Sequence, residues 1–400
     1  MSAKRIGILT GGGDVPGLNS VIKTVVYRSS EIGGDVIGLR RGWEALTHVN
    51  LQDEASRHRY IQELNRDNTR TIDRTGGTYL HTSRTNPSKM KADKLPAHLK
   101  GKEFPQKKSI KDDKEVITCD LTSQVLANLQ ELKLDYLIAI GGDDTLSYAA
   151  TLHERGVKVI AIPKTMDNDV RNTEYCIGFS TAISRATEAI ERQRTTVGSH
   201  ERIGVFRIFG RDAGYTALYT AYVSSMRCCI PEYKFDLQKL FDLLVTDKRD
   251  NPSNYALVVL SEGAEWHGYK AKEKKNLPED AYGHKKKPNV GEDLAVEIQN
   301  KLGEETVVSD LTYDLRSGSP DFVDKMVAST FAGMAVDCIE GNRSGLMMAI
   351  DHGCYAEVAI PDPKLGPRKV DIASMYNVER YRPNYRNKLG LPIFLTRARD

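Results

Sequence analysis

Runs of consecutive apolar residues recur along the chain at strand length, at 5–10, 35–39, 135–141, 157–163, 203–209, 255–261, 306–312 and 346–350. Amphipathic stretches separate them. In 178–194, Phe179, Ile183, Ala186 and Ile190 recur at helical spacing with charged residues opposite, so that segment reads as a helix packed by one face. Strands that are apolar throughout, rather than alternating, are covered on both faces, as parallel strands flanked by helices are. The pattern therefore predicts an α/β protein of two doubly wound, mostly parallel-sheet lobes, with the chain leaving the first near residue 165. Two segments do not fit the alternation. Residues 86–118 and 264–292 are rich in Lys and Pro with little periodicity, and segments of this length are usually lids or mobile insertions. The tail, 361–400, carries several Pro and a cluster of Arg380, Tyr381, Arg382, Tyr385 and Arg386, suited to packing on the first lobe or on a neighbouring subunit.

Several strands end in chemistry. IAIGGDDT (138–145) passes from a buried strand into Gly141, Gly142, Asp143 and Asp144. AIPKTMDND (161–169) does the same into Lys164, Thr165, Asp167 and Asp169. Ligands of open α/β sheets bind at the carboxyl ends of strands. Glycines there let backbone come close to a bulky ligand. Carboxylates beside glycines and a lysine suit a phosphate site in which backbone N–H groups and Mg²⁺ share the charge. A third segment, KRIGILTGGGDVPGLNSVI, turns through Gly11, Gly12 and Gly13 into a helix whose free N–H groups face an anion. It is not a dinucleotide fingerprint, because Pro16 occupies the place of the third glycine, and no G-x-x-x-x-G-K-[ST] occurs in the chain.

Composition narrows the class without naming the chemistry. The 400 residues suffice for two or three domains, and 40% hydrophobic with 28% charged residues is ordinary for a soluble globular protein. A net charge of +3 makes no general case for nucleic acid. The lysine clusters at 89–114 and 270–287 are interleaved with acids, Pro and Gly and read as solvated surface. Six cysteines without a C-x-x-C pair predict reduced thiols in a cytoplasmic protein. The N-terminus runs straight into a strand without a signal-peptide core, and apolar runs such as YALVVL are too short to span a membrane.

The segments GGGDVPGLN, HTSR, GGDDT, PKTMDND, RIGVFRIFGRDAG, SEG and DLRSG occur here in the order found in the 6-phosphofructokinase family. The resemblance runs from residue 4 to about residue 340, and GGDD with PKTxDND resembles the pyrophosphate-dependent branch. The ATP-using branch has Gly where this chain has Asp144, and its bacterial members often have Gly in place of Lys164. The resemblance implies reversible transfer of a phosphoryl group from pyrophosphate to the 1-hydroxyl of fructose 6-phosphate with Mg²⁺. It implies the phosphofructokinase-type fold, with a phosphoryl-donor lobe (1–165), a sugar-phosphate lobe (166–340) and a C-terminal segment (341–400) packing back on the first lobe. Alternatives are an ATP-dependent phosphofructokinase, a pyrophosphate enzyme also acting on sedoheptulose 7-phosphate, and a non-catalytic regulatory paralogue.

Residue by residue, the resemblance makes Asp167 the general base, with Asp169 orienting the loop and Lys164, Thr165 and Arg211 at the reacting centre. Asp143 matches the carboxylate associated with Mg²⁺. Gly12, Gly13, Arg84, Asp144 and Lys164 would meet the donor. Thr165, Asp167, Asp169, Gly210, Arg211 and Glu262 would face the sugar, with Tyr313 and Arg316 on its 6-phosphate. Tyr313 replaces the family's histidine, and Val307 an arginine of the bacterial ATP enzymes, which lowers the positive charge of that pocket; Lys325 or a tail arginine is the expected compensation. Arg202 matches an arginine that reaches into the neighbouring subunit's sugar-phosphate pocket, implying a homodimer or homotetramer. Arg202 and Arg211 are nine residues apart, an odd separation that points side chains to opposite faces of a strand.

Overall fold

Strand Arg5–Thr10 sits between Asp35–Leu39 and Tyr136–Gly141, parallel to both, with Ile6 opposite Tyr136 and Val36. Outward from Tyr136–Gly141 come Val159–Pro163 and then Leu346–Asp351, also parallel. Two antiparallel strands, Ile61–Leu64 and Cys354–Ala359, close the edges of this seven-stranded sheet. The second sheet has four parallel strands in the order Arg227–Cys229, Ala256–Ser261, Ile203–Ile208, Thr306–Asp310. This computed structural model describes residues 4–111, 114–269 and 289–385. The expected α/β fold with mostly parallel sheets is present. Every residue of Tyr136–Gly141, Val159–Pro163, Ile203–Ile208 and Ala256–Ser261 is buried, which is why these strands stand out as apolar runs.

The two lobes share one apolar core. It runs from Ile6, Ile8 and Ile138 under the first sheet, through Val15, Ile177 and Ala328, to Phe206 and Val259 in the second. The joint depends on two glycines. Gly17 (φ 111°) and Gly178 (φ 103°) precede helices Leu18–Glu31 and Phe179–Ser199 in the left-handed region that glycine tolerates. A Cβ on Gly17 would lie 2.5 Å from Ile177, and one on Gly178 would lie 2.6 Å from Val15, so the two helix starts pack directly on each other. Helix Phe322–Glu340 supplies what Gly178 lacks as a cap. Asp324, fully buried, accepts from Tyr175 Oη (2.7 Å), Gly178 N (2.7 Å), Thr181 N (2.8 Å) and the Thr181 hydroxyl. That helix packs on helix Leu18–Glu31 of the first lobe, although it falls in the stretch expected to form the second.

Two further expectations change. Segment 86–118 contains a three-stranded antiparallel sheet, Met90–Lys91, Lys114–Cys119 and Gln106–Lys111, over a small core of Met90, Leu99, Cys119 and Leu121. Of the 264–292 segment, residues 270–288 lie outside the described residues, as do 386–400 of the tail. The C-terminal segment stays on the first lobe through Cys354–Ala359, Ile360 and Pro363–Leu365, the last packing on helix Asp143–Glu154; beyond it the chain crosses to the second lobe. There Cys228 N donates to Tyr381 O (2.8 Å), Tyr376 Oη donates to Cys228 O (2.7 Å) and Arg382 pairs with Asp247 (3.1 Å). Backbone and side-chain hydrogen bonds to the edge strand Arg227–Cys229 of the second sheet hold this tail. None of the six cysteines forms a disulfide, and no helix among the described residues is long and apolar enough to cross a membrane.

Candidate active site

The carboxyl end of strand Arg5–Thr10 lies where the chain order in the first sheet reverses, between its two neighbours. The turn that follows is stitched to the HTSR segment: Gly12 N donates to Ser83 O (2.9 Å) and Thr82 Oγ1 to Gly12 O (2.6 Å). Two cations converge on it. Lys164 Nζ donates to Gly13 O (2.6 Å), and Arg316 Nη2 donates to Asp14 Oδ1 (2.6 Å). A Cβ on Gly12 would lie 3.2 Å from Lys164 Nζ, and one on Gly13 would lie 3.3 Å from Arg316 Nη1, so both glycines make room for charge. Lys164 is only 5% exposed. Burial, then Arg316, pushes its pKa down to about 8, with Arg84 acting in the same sense and Asp14 and Asp169 opposing it. The ammonium is still the dominant form at pH 7, and it is short of counter-charge.

Next to this turn, helix Asp143–Glu154 begins at Gly142. Gly141 is not free for a ligand, as its sequence context suggests. The Thr145 side chain fills the space, 2.5 Å from a Cβ on Gly11 and 2.2 Å from one on Gly141. Thr145 is thus a packing wedge between two strand ends and not a cap. Gly142 remains open, with only Lys164 O near, 3.6 Å from its missing Cβ. Asp143 and exposed Asp144 occupy the first turn. Burial, then Asp169 and Asp144, raises the Asp143 carboxyl to about 7.

The loop after strand Val159–Pro163 carries Asp167 and Asp169. Its carbonyls are turned away: Thr216 Oγ1 donates to Met166 O (2.8 Å), and Arg368 donates to Asn168 O (2.8 Å) and, through its backbone N, to Asp169 O (2.6 Å). Asn168, at φ 53°, ties the loop internally, Nδ2 donating to Glu174 O and Oδ1 accepting from Cys176 N. Thr165 Oγ1 accepts from Asp167 N (3.2 Å). The Asp167 carboxyl is raised well above its ordinary value by burial, then by Asp169 and Glu262, with Arg211 opposing. Asp169 is raised by burial and by Asp212, while a Thr165 hydrogen bond and Lys164 hold it down.

Across the cleft, Arg211 follows Gly210, which at φ 123° lies so close to Ala213 O that a Cβ would come within 2.7 Å. Arg211 is half-exposed and pairs with Asp212 (3.0 Å). Glu262, after strand Ala256–Ser261, meets Arg207 at 3.4 Å, and Arg207 also holds Asp310 at 2.7 Å. Tyr313 is 67% exposed, edge-on to Phe209, with the Arg316 guanidinium 5.3 Å from its ring centre.

The family model described as phosphofructokinase matches residues 5–339. This chain belongs to the phosphofructokinase family. Pyrophosphate–fructose 6-phosphate 1-phosphotransferases of Dictyoglomus thermophilum and Thermoproteus tenax are each 35% identical over 95% of the chain and 99% of their own length. ATP-dependent 6-phosphofructokinase 3 of Streptomyces coelicolor is 32% identical over 86% of the chain and 90% of its own length. In fold, the pyrophosphate-dependent phosphofructokinase of Marinobacter aquaeolei superposes with a TM-score of 0.72 at 17% identity, covering 96% of this chain and 89% of that one.

In this phosphofructokinase, Asp143, Lys164, Thr165, Asp167, Asp169, Arg211 and Glu262 are linked to one another by the charge and hydrogen-bond effects above. Arg84 also acts on Lys164 from this side. Arg202 is elsewhere. It precedes strand Ile203–Ile208, whose far end leads to Arg211, and it pairs with Glu305. Six strand residues separate the two ends by about 20 Å. Arg316, expected on the sugar 6-phosphate, is drawn to Asp14 beside the Gly12–Gly13 turn. Lys325, the expected compensating cation, pairs with Asp73 (3.2 Å). Sequence reading missed Asp14, Arg207, Asp212 and Arg368. Arg207 had a signal, a charge inside the otherwise apolar strand IGVFRI. Arg368 had none.

Proposed function

We propose that the protein is a pyrophosphate-dependent fructose-6-phosphate 1-phosphotransferase working reversibly. The observation that carries the reading is Lys164, a buried ammonium on the Gly12–Gly13 turn, facing a helix start that bears Asp144 where a nucleotide-using site needs neutral space. Pyrophosphate lies along the glycine turn, its charge met by Lys164 and Arg84. The sugar 1-hydroxyl lies against Asp167. Phosphoryl transfer demands positioning and charge neutralisation more than covalent help. As the oxygen of the sugar forms its bond to phosphorus, its proton passes to Asp167. The P–O bond to the leaving phosphate breaks, and Lys164 and Arg211 offset the charge on the moving group. A carboxylate with a raised pKa is a stronger base, and Asp169 and Glu262 raise it without entering the bond-making. Since the leaving group is phosphate, phosphate can equally attack the sugar bisphosphate in reverse.

Asp143 suits Mg²⁺. It is a part-buried carboxylate at a helix start, burdened by two neighbouring acids, and such an ion is typically held by one or two carboxylates with substrate phosphates. When bound, the ion supplies neutralisation of the phosphate oxygens. A second copy of the chain completes the sugar-phosphate pocket with Arg202, which is too far along its strand to serve its own Arg211. Mixing inactive Arg202→Ala and Asp167→Ser chains tests this: activity returns on subunit exchange if sites are shared, and stays absent if they are not. The donor reading is tested by turnover of fructose 6-phosphate with pyrophosphate against ATP.

A further inference from the structure

The C-terminal tail crosses both halves of the reacting centre. On the base side, Arg368 Nη2 donates to Asn168 O (2.8 Å) and reaches Glu174 O (3.3 Å), and its backbone N donates to Asp169 O (2.6 Å). Its guanidinium lies 4.5 Å from the ring centre of Tyr215. The loop grips back: Arg171 Nε donates to Gly366 O (2.8 Å) and Asn172 Nδ2 to Ala359 O (3.1 Å). On the other side, Glu232 Oε1 accepts from Val370 N (2.8 Å) and from Gly214 N (3.0 Å), three residues after Arg211. Tyr215 Oη fixes Lys369 O at 2.6 Å. Residues 365–370 are therefore tied both to the loop bearing Asp167 and to the turn bearing Arg211.

We propose that Arg368 is a positioning residue for phosphoryl transfer, its guanidinium holding the Asn168 and Glu174 carbonyls so that the Asp167 carboxylate faces the sugar hydroxyl. The inference rests on Asp167 being the base. The peptide between Asp167 and Asp169 passes through a left-handed residue, Asn168, whose side chain is tied to Glu174 O and Cys176 N and whose carbonyl is held by Arg368. The planar fork of arginine spans two carbonyls at once; an ammonium meets them as a point charge. A shift of about 1 Å at a reacting group costs about 10²-fold in rate. Its side chain is engaged with backbone carbonyls and the Tyr215 ring, so substrate binding is expected to survive its loss.

The test measures turnover, KM for both substrates and the thermal midpoint in Arg368→Ala, Arg368→Lys and Asp167→Ser. For Arg368→Ala the expected result is a kcat lower by roughly 10- to 100-fold, KM values within about two-fold, and recovery of turnover with added guanidinium at non-denaturing concentration. Arg368→Lys should fall between Ala and the native enzyme. Native turnover in Arg368→Ala overturns the proposal, as does an equal loss in kcat and KM without guanidinium recovery. If the Ala variant fails to fold, the Lys variant decides: full turnover overturns the proposal, and partial loss with unchanged KM supports it. Asp167→Ser separates the two ideas, because an active Asp167→Ser enzyme refutes the base assignment whatever Arg368 does.

Discussion

Replacing Asp144 by Gly should open the donor site to ATP. Asp144 is exposed in the first turn of helix Asp143–Glu154, beside the one glycine there, Gly142, that no side chain fills. A nucleotide α-phosphate next to this carboxylate meets a like charge. At about 4 Å the repulsion is ~1 kcal/mol in water and ~4 kcal/mol at an effective dielectric near 20. Exposure places Asp144 toward the watery limit, so relief of ~1–2 kcal/mol is expected, or roughly a 5- to 30-fold gain in kcat/KM for ATP. The glycine itself costs up to ~1 kcal/mol of helix stability. Adding Lys164→Gly removes the cation suited to pyrophosphate and should shift preference further. Asp144 also helps raise the Asp143 carboxyl to about 7, so Asp144→Gly should move the pH midpoint of the Mg²⁺ requirement downward. The assay is initial rate with each donor across pH and Mg²⁺ concentration. Unchanged ATP efficiency in both the single and the double variant would refute the reasoning.

Asp167→Ser should lose about 10²–10⁴ in turnover in both directions while keeping fructose 6-phosphate affinity, measured by kcat and by direct titration. With its pKa near 8, Lys164 loses its charge as pH rises through that value, so kcat/KM for pyrophosphate should fall above about pH 8, while at lower pH this group stays charged. Asp324→Asn keeps one acceptor and turns an amide toward buried donors; with Tyr175, Gly178 and Thr181 left competing for one oxygen, we expect ~3–5 kcal/mol less stability by denaturant unfolding.

The inner strands were readable because helices cover both faces of each sheet, leaving unbroken apolar runs. Ile61–Leu64, Cys354–Ala359 and Arg227–Cys229 were not. The first two are edge strands with half-exposed residues, and the third has only three. Asp143, Lys164 and Asp167 stood out because each lies just past a strand end, whereas Arg211 was singled out only by the resemblance of the FGRDAG segment. Gly141 was misread: a glycine at a strand end suggests ligand approach, yet its space belongs to Thr145. Arg368 was illegible for a different reason. It binds backbone carbonyls some 200 residues away, and carbonyls leave no trace in side-chain pattern. The same holds for Asp14, whose partner Arg316 is brought to it only by the packing of the two lobes.

The most direct measurement of the central claim is the initial rate of fructose 6-phosphate phosphorylation by the unmodified enzyme with Mg²⁺ and either pyrophosphate or ATP, followed by the reverse reaction with phosphate. Lys164 on the glycine turn and Asp144 at the helix start predict kcat/KM for pyrophosphate far above that for ATP, and bisphosphate breakdown that depends on phosphate. Equal efficiency with ATP, or an absence of phosphate-dependent reversal, would contradict it.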